Sequence, residues 1–285
     1  MNKCEKYILI TGANGYIGSH VVHALLEKNV RVTAVDLSVD FIDPRAVRIP
    51  CNLFEVSAPD LFGDRIPDAC LHFAWKDGFR HDSAAHMEML SSHFRFLTEL
   101  ARQGVKQLAV MGTMHEIGYH EGAVDENTPC RPLSLYGVAK NALRQSLELF
   151  CRQHEVVFQW FRGYYVIGDD ERNHSVFSRI LESAKEGKRE FPFTSGRKCY
   201  DFLPVEELAA QLSACVMQTE IQGIINCCSG RPFALGDMAE KFIRERGLDI
   251  TLCYGAYPDR VYDSPAIWGD NAKIRRILAG DGKIS

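Results

Sequence analysis

Residues 6–36, KYILITGANGYIGSHVVHALLEKNVRVTAVD, change their hydrophobic period from strand to helix and back. Residues 7–11 form an apolar run, which is typical of a parallel strand buried on both faces. Helical spacing follows, with apolar side chains at Ile17, Val21, Val22, Leu25 and Leu26. Residues 30–35 then indicate a second strand. This strand, crossover helix and strand predict the repeating unit of an α/β fold with a doubly wound parallel sheet.

Three glycines lie between the first predicted strand and the helix, at Gly12, Gly15 and Gly18. Glycines at this point let the chain turn sharply and let a pyrophosphate approach backbone N–H groups at the helix N-terminus. Their spacing is Gly-x-x-Gly-x-x-Gly rather than the Gly-x-Gly-x-x-Gly of the common dinucleotide fingerprint. The segment therefore predicts a dinucleotide-binding turn of a variant type.

Asp36 ends the second predicted strand, 18 residues beyond Gly18. A carboxylate at this place accepts hydrogen bonds from the adenosine ribose hydroxyls. The 2′-phosphate of NADP(H) would meet like charge there, and Leu37 and Ser38 offer no cation. NAD(H) is therefore favoured as the cofactor, and NADP(H) stays open because Arg45 or Arg48 would compensate by folding back.

The same alternation continues along the chain without an internal repeat or a long linker. Strand-like apolar segments follow at 46–51, 68–75, 105–113 and 156–168, and helical periodicity is present at 83–102 and 135–153. Five or six parallel strands are implied. We expect a dinucleotide-binding Rossmann domain over 1–165 and a smaller substrate-binding α/β region over 166–285, with a strand near 223–228 that returns to the main sheet.

Composition excludes several other classes of protein. The 285 residues carry a net charge of -4 without a stripe of Lys and Arg, which argues against a nucleic-acid partner. No apolar run reaches the ~18 residues of a membrane span, and the first residues reach glycine too early for a signal peptide. The ten cysteines form no Cys-x-x-Cys pair, and the ten histidines have no zinc-site spacing. We expect a cytoplasmic protein with reduced thiols, no metal site and no membrane partner.

The stretch SLYGVAK, residues 134–140, places Tyr136 and Lys140 four residues apart near the start of a predicted helix. Side chains at this spacing share one helix face, so the ammonium can approach both the phenol and a cofactor ribose. An adjacent cation favours phenolate and lowers the pKa of a tyrosine from its usual ~10. Thr113 ends the fifth predicted strand, at the sheet edge where the glycines also lie. These three residues predict a proton-transfer site.

The turn TGANGYIG, together with Thr113, Tyr136 and Lys140 in this order, resembles the extended branch of the short-chain dehydrogenase/reductase superfamily. The resemblance implies hydride transfer, with Tyr136 moving the hydroxyl proton, Thr113 holding the same oxygen and Lys140 orienting the ribose. LHFAW, residues 71–75, is similar to the His-x-Ala-Ala segment that lines the cofactor, although His72 by itself indicates a satisfied core histidine. The implied cofactor contacts are Gly12, Asn14, Gly15, Tyr16, Ile17, Gly18, Asp36, Asn52, Leu53, Phe73, Ala74, Tyr136 and Lys140.

The carboxyl-terminal half resembles the nucleotide-sugar epimerase, dehydratase and reductase group of this superfamily. FRGYYVIG is similar to an Arg-x-x-Asn-x-x-Gly segment, YDFLPVEELAAQL to Arg-Asp-Phe-x-x-Val-x-Asp-x-Ala, and WGDNAKIRRILAG to the closing Asp-x-x-Lys helix. The resemblance implies a nucleotide-sugar substrate, with charge-assisted contacts to its diphosphate. The candidate substrate contacts are His115, Tyr165, Arg197, Arg231 and Arg260.

Two departures from the group narrow the reaction. Dehydratases of the group carry Thr-Asp-Glu where this chain has Thr113-Met114-His115, and Tyr165 replaces the usual substrate-contacting Asn. Only 145 residues follow Lys140, whereas C4 epimerases of the group tend to be longer. These features favour NAD(P)H-dependent reduction of a nucleotide-linked 4-keto-6-deoxy sugar to a 6-deoxyhexose, for surface-polysaccharide precursor synthesis. A nucleotide-sugar C4 epimerase and a non-catalytic dinucleotide sensor remain alternatives.

The predicted helices 83–102 and 135–153 also bear on assembly. Both carry many apolar positions, and the equivalent helices form the dimer interface in the family that the chain resembles. Packing within one subunit would explain the same pattern. We expect a homodimer.

Overall fold

The computed structural model describes residues 6–168, 175–259 and 263–281. Within these residues the strands are, in chain order, β1 Tyr7–Thr11, β2 Arg31–Asp36, β3 Val47–Pro50, β4 Ala69–His72, β5 Gln107–Thr113, β6 Gly122–Val124, β7 Val157–Gly163, β8 Tyr165–Ile167, β9 Glu190–Pro192, β10 Cys199–Pro204, β11 Gly223–Cys227, β12 Pro232–Ala234, β13 Thr251–Cys253 and β14 Ala266–Gly269. The α-helices are α1 Tyr16–Leu26, α2 Ala85–Glu88, α3 Leu90–Arg102, α4 Leu135–Gln153, α5 Val176–Lys185, α6 Val205–Val216, α7 Leu235–Glu245 and α8 Ala272–Asp281.

The main sheet contains seven strands in the order β11-β7-β5-β4-β1-β2-β3. All six neighbouring pairs are parallel. The sheet therefore grows outward from β1 in both directions, which confirms the predicted doubly wound α/β fold. β11 pairs with β7, so the chain returns to this sheet after crossing the second half of the molecule. The division of the chain at residue 165 stays a prediction.

Both faces of the main sheet are covered, as the apolar run of β1 predicts. Ile8 and Ile10 belong to a core cluster that includes side chains of α1, α6 and α8. Tyr7 and Leu9 belong to a second cluster that includes side chains of α3 and α4. Alternate side chains of a strand point to opposite faces, so one short segment contributes to both cores. The helices thereby form layers on either side of the sheet.

A smaller region packs beside the carboxyl ends of the main strands. Its larger sheet has the order β12-β10-β14-β6, with β8 also paired to β10, and its smaller sheet pairs β13 with β9. A third core cluster joins these strands to α5 and α7. This region forms the side of the candidate functional site that lies opposite the main sheet.

Two sequence-based boundaries were wrong. The segment 156–168 was interpreted as one strand, but β7 ends at Gly163 and β8 begins at Tyr165, in the other sheet. The apolar run continues across β7 and β8 because both strands have buried neighbours. Hydrophobicity alone does not reveal which strand each of them pairs with. The predicted helix 83–102 is two helices, with a break at Met89 between α2 and α3.

Within residues 6–168, 175–259 and 263–281, no helix has the length and apolar character needed to cross a bilayer. The cysteines at nine described positions are free thiols. No group of three or more His, Cys, Asp or Glu within the described ranges is arranged to hold a metal ion.

Candidate functional site

The glycine turn, residues 12–18, runs from the end of β1 into the first turn of α1 and packs against the residues that follow β4. Gly12 has a φ of +70°, and a Cβ there would lie 2.3 Å from the backbone nitrogen of Ala74. Only glycine permits this close approach. Helix α1 follows with Gly15 as its N-cap, without a capping side chain and without an acidic residue in its first turn. An unblocked helix N-terminus attracts an anion, so the turn fits a pyrophosphate.

The end of β2 is tied to the glycine turn by a carboxylate. Asp36 Oδ2 accepts a hydrogen bond from the Asn14 backbone nitrogen at 2.8 Å, and Oδ1 accepts one from Leu37 at 2.7 Å. The Asn14 side chain donates to Ser38 Oγ at 2.7 Å. Asp36 therefore has a structural role in addition to the predicted ribose contact, since it holds the turn against β2.

The remaining predicted cofactor contacts surround the same edge. Asn52 follows β3 and donates to Glu55 Oε1 at 2.8 Å, whereas Leu53 is buried. Phe73 and Ala74 follow β4 and are half-buried. Tyr16 and Ile17 begin α1, where the Tyr16 hydroxyl lies 2.0 Å from the place of a Cβ at Gly168. The predicted contacts thus converge at the carboxyl ends of β1 to β4, a surface that fits a dinucleotide.

Tyr136 is positioned by the start of α4. The Ser134 side chain caps this helix by accepting from the Gly137 nitrogen at 3.2 Å. A Cβ at Gly137 would lie 2.4 Å from the His115 carbonyl oxygen, so the helix packs directly on the turn after β5. The Tyr136 nitrogen also donates to the His81 carbonyl at 2.9 Å. The first turn of α4 is therefore fixed on both sides.

The three predicted catalytic residues are brought together there. Thr113 ends β5 and is 7% exposed, and its hydroxyl lowers the pKa of the nearby Tyr136 phenol. Its oxygen also accepts from the His115 nitrogen at 3.2 Å. Lys140 lies one helical turn beyond Tyr136, and its Nζ donates to the Met111 carbonyl at 2.8 Å and lies 5.9 Å from the Tyr136 ring centroid. The geometry provides a phenol, a hydroxyl and an ammonium at one point.

The electrostatics of this group differ from the expectation that Lys140 lowers the pKa of Tyr136. Burial, and next the negative charge of Glu116, raise the pKa of Tyr136 well above its usual value, while the hydrogen bond from Thr113 lowers it. Burial also lowers the pKa of Lys140 to about 7, and Glu116 opposes that shift. Tyr136 is therefore a neutral phenol at neutral pH, able to donate a proton.

A buried ion pair behind Thr113 was not anticipated. Glu116 and Arg162 are both 0% exposed, with Oε2 and Nη2 3.5 Å apart. Glu116 Oε1 accepts from the Thr113 nitrogen at 2.7 Å and from Trp160 Nε1 at 2.8 Å. This carboxylate therefore anchors the end of β5. Arg162 lies in the segment FRGYYVIG, but nothing in the sequence indicated that it meets Glu116.

Imidazole and indole rings surround Tyr136. His81 stacks on it with ring centroids 5.2 Å apart and 16° between planes, and His86 lies at the same centroid distance. His115 and Trp75 lie at 6.2 Å. Sequence spacing argued only against a metal site at these histidines and did not show that they meet, because His81 and His86 follow β4 whereas His115 follows β5. One signal was available for Trp75, which replaces the last alanine of the His-x-Ala-Ala segment.

His72 has the structural role expected from the sequence. It is fully buried, with Nδ1 2.6 Å from Thr11 Oγ1 and Nε2 2.9 Å from His93 Nδ1. Burial, followed by the nearby His93 and Lys140, keeps the pKa of His72 well below its usual value. His72 is therefore a neutral core residue beneath the site.

A small pocket lies beside His81 and His115, the two histidines whose rings contact Tyr136 on that side, and we call it the Tyr136 pocket. It has a volume of about 120 Å³, and its lining includes His81, His115, Tyr165, Tyr200 and Ser264. The rings of Tyr165 and Tyr200 pack together with centroids 4.3 Å apart. Tyr200 stands where the resembling Arg-Asp-Phe segment has its arginine, a departure that the sequence displays. Two predicted substrate contacts, at 115 and 165, therefore meet here.

The predicted arginines are placed differently. Arg197 is exposed in the turn before β10. Arg231 lines a separate cleft of about 910 Å³, between α6, α7 and α8, and Thr113, Tyr136 and Lys140 do not line that cleft. The structure therefore does not bring Arg231 to the Tyr136 pocket, because the chain leaves β11 toward α7. Arg260 lies outside the described residues.

Comparison with known proteins gives a close relative and similar solved structures. A dTDP-6-deoxy-L-talose 4-dehydrogenase (NAD(+)) of Aggregatibacter actinomycetemcomitans is 41% identical over 272 residues, covering 92% of this chain and 98% of the relative. The fold is similar to that of an NAD-dependent NDP-hexosamine 5,6-dehydratase of tunicamycin biosynthesis, with a TM-score of 0.83, 21% identity and 96% and 91% coverage of the two chains. A UDP-glucuronic acid 4-epimerase from Bacillus cereus gives a TM-score of 0.81, 22% identity and coverage of 96% and 93%.

The family profile described as the NAD dependent epimerase/dehydratase family matches residues 8–228. This range contains the glycine turn, Thr113, Tyr136 and Lys140. The matched range and the 41% identical relative together establish the family and the extended short-chain dehydrogenase type. The chain therefore belongs to the NAD dependent epimerase/dehydratase family, and it is an NAD(P)-dependent oxidoreductase.

Proposed function

We propose that the protein reduces a nucleotide-linked 4-keto-6-deoxy sugar to a 6-deoxyhexose, using NADH, and that the same site runs the reverse oxidation. The observation that carries this proposal is the packing of the start of α4, with Tyr136 one helical turn from Lys140, on the turn that follows Thr113, beside a glycine turn that fits a dinucleotide. The relative named as a dTDP-6-deoxy-L-talose 4-dehydrogenase supports C4 of a dTDP-linked 6-deoxyhexose as the reacting carbon. The product is an activated sugar of the kind used in surface polysaccharides.

The roles of the side chains follow from their protonation. Reduction of a ketone adds a hydride to carbon and a proton to oxygen, and the bound nicotinamide supplies the hydride. Tyr136 is a neutral phenol at pH 7, because burial and Glu116 raise its pKa, and it donates the proton. The Thr113 hydroxyl hydrogen-bonds the same substrate oxygen. Lys140 presents a charge that stabilises the phenolate left on Tyr136 after the transfer.

Two features disfavour the other reactions of the family. Met114 and His115 follow Thr113, and methionine cannot act as the acid that dehydration of the sugar requires. An epimerase must let a keto intermediate turn over within its site. The rings of Tyr165 and Tyr200 pack together beside His115, with centroids 4.3 Å apart, on the side of the site where that rotation would take place.

NAD(H) is the proposed cofactor. Asp36 is held at the end of β2 by its hydrogen bond from Asn14, so its charge faces the expected place of the adenosine ribose. A 2′-phosphate at this position would be repelled. Arg45, which the sequence left as a compensating cation, is instead paired with Asp43 and Glu27, each at 2.7 Å.

We also propose that the protein is a homodimer joined through α4. Leu135, Val138 and Leu149 are 38%, 37% and 51% exposed on this helix. Positions 138 and 149 are three turns apart and share one face. Light scattering of the wild-type protein should give the mass of two chains, and Leu149→Glu should shift it toward one.

The function is tested by mixing purified protein with a dTDP-4-keto-6-deoxy sugar and either NADH or NADPH. We expect stoichiometric loss of reduced-nicotinamide absorbance with NADH, abolished by Tyr136→Phe. Tyr254→Phe, which removes a hydroxyl from an exposed tyrosine bonded to Glu240, is the matched control and should retain activity. The reverse reaction should reduce NAD⁺ in the presence of dTDP-6-deoxy-L-talose. Conversion of an intact nucleotide sugar without net cofactor turnover would instead establish an epimerase.

A further inference from the structure

Trp75 makes three separate contacts beside the catalytic residues. The Lys140 ammonium nitrogen lies 3.8 Å from the centroid of its ring. The His93 ring stacks on the indole with centroids 4.4 Å apart and 16° between planes. The indole Nε1 donates to His86 Nδ1 at 3.0 Å. The side chain is therefore held by a stacking contact and by a hydrogen bond, and it presents a ring face to a cation.

His86 fixes the direction of the indole. It is 1% exposed, and its Nε2 lies 3.0 Å from the Arg80 carbonyl oxygen. Because Nδ1 accepts from Trp75, the proton of a neutral imidazole must be on Nε2, which then donates to that carbonyl. This arrangement admits one tautomer and one orientation. The Trp75 ring is consequently locked at both its edge and its stacked face.

The contact matters for Lys140 because that residue is 2% exposed. An ammonium has three N–H donors, and the Met111 carbonyl at 2.8 Å and the Trp75 ring use two of them. A ring face stabilises a desolvated cation, so it favours the charged lysine. The charged or titratable groups that face the ammonium from neighbouring elements are Glu116, His72, His93 and Tyr136.

Of these groups, the histidines do not compete for the proton. Burial, and next the charge of Lys140, lower the pKa of His93 to about 3, and His72 is neutral for the same reasons. Glu116 is paired with Arg162, whose positive charge offsets the negative charge of the carboxylate. Trp75 and the Met111 carbonyl are therefore the contacts that stabilise the ammonium without adding charge, and Trp75 is the one made by a side chain.

We propose that Trp75 is a positioning residue that holds the Lys140 ammonium in place and in its charged form, next to Tyr136. This inference rests on the proposed hydride transfer, in which Lys140 acts as a cation. The His-x-Ala-Ala segment that residues 72–75 resemble has alanine at this position, which offers no ring face. The tryptophan is thus a feature of this chain's own site.

The test compares Trp75→Leu with Trp75→Phe. Both variants keep an apolar side chain over Lys140, but only Phe keeps a ring face. We expect the alkaline limb of the kcat profile to move to lower pH by about one unit in the Leu variant, because loss of the ring face lowers the pKa of Lys140. The Phe variant should stay within about a third of that shift.

A second measurement does not depend on turnover. NMR titration of isotope-labelled lysine, with the Lys140 signal assigned by its loss in Lys140→Met, should show the same order of midpoints: wild type, then Phe, then Leu. Equal midpoints in the Phe and Leu variants would show that Trp75 only fills space. If the Leu variant does not fold, Trp75→Met supplies an unbranched side chain without a ring. A wild-type enzyme without reductase activity would refute the proposed function, while the titration still decides the role of Trp75.

Discussion

The glycine turn and the Tyr136 pocket lie at the same edge of the main sheet but are built differently. The glycine turn uses backbone, since Gly12 approaches Ala74 closely and the N-cap of α1 has no side-chain partner. The Tyr136 pocket uses side chains, with a ring of histidines around the phenol and a buried carboxylate behind Thr113. The backbone of the glycine turn fits a pyrophosphate, whereas burial sets the protonation of Tyr136 and Lys140.

The glycine turn and the surroundings of Tyr136 also differ in the interactions that stabilise them. A backbone cradle has few ways to relax, so a single added methyl group disrupts it. Buried charges stabilise the active form of a site at a cost to folding, unless each is paired. We therefore expect substitutions in the glycine turn to cause loss of structure, and substitutions around Tyr136 to separate stability from activity.

The largest effect is expected for Gly12→Ala. The new Cβ would lie 2.3 Å from the Ala74 nitrogen, on a residue with a φ of +70°. The left-handed backbone costs about 1–2 kcal/mol and the clash with backbone costs more, so the free energy of unfolding should fall by more than about 4 kcal/mol. Chemical denaturation and NADH binding measure the two consequences.

Gly63→Ala is the matched control for this prediction. Gly63 has a φ of +60°, but an added Cβ meets no atom within 4 Å. It should therefore show only the backbone part, about 1–2 kcal/mol, with normal NADH binding. Equal destabilisation by both substitutions would mean that the close approach of Gly12 to β4 is unimportant.

The second prediction concerns the buried ion pair. Glu116→Gln leaves Arg162 charged and 0% exposed without its carboxylate partner. Loss of one member of a buried pair should lower the free energy of unfolding by about 3 kcal/mol. Thermal and urea unfolding at pH 7 measure this effect, which is smaller than that of Gly12→Ala.

The double variant Glu116→Gln with Arg162→Met tests whether the pair acts as a unit. It removes both charges while retaining an amide oxygen for Thr113 and Trp160. We expect it to be less destabilised than the sum of the single variants by at least about 1 kcal/mol. Strict additivity would show that the two residues contribute independently, and the pocket would then be less coupled than its geometry indicates.

The two regions were also predicted from the sequence to different extents. Residues 7–36 contain β1, the glycine turn, α1 and β2 in one continuous segment, so hydrophobic period and glycine spacing were enough to place them. Thr113, Tyr136 and Lys140 were found because resemblance fixed their order. The structure adds the close packing of Gly137 on His115.

The surroundings of Tyr136 could not be derived in this way. His81 and His86 follow β4 whereas His115 follows β5, and their meeting depends on how the segment after β4 packs on α4. The expected lowering of the Tyr136 pKa was wrong for the same reason, because burial and Glu116 act through tertiary packing. Periodicity describes each element separately, whereas a pKa depends on all the neighbours of a group.

The smallest effect, and the one of opposite sign, is expected for Lys140→Met. Burial lowers the pKa of Lys140 to about 7, from an ordinary value of 10.5. Folding at lower pH must therefore bury a charge, and the methionine variant avoids this cost. At pH 6 the variant should be more stable than the wild type by about 2 kcal/mol, while its reductase activity is lost. Urea unfolding gives the stability.

The pH dependence separates this explanation from simple packing. Between pH 7 and 10 the unfolded wild-type chain binds a proton at Lys140 that the folded chain has released, so wild-type stability rises with pH. The advantage of Lys140→Met should therefore shrink across this range and nearly vanish by pH 10. Lys106→Met, which removes an exposed charge, should show no such trend. An advantage independent of pH would show that methionine merely packs better. A decreasing advantage would show that burying the charge of Lys140 costs folding stability.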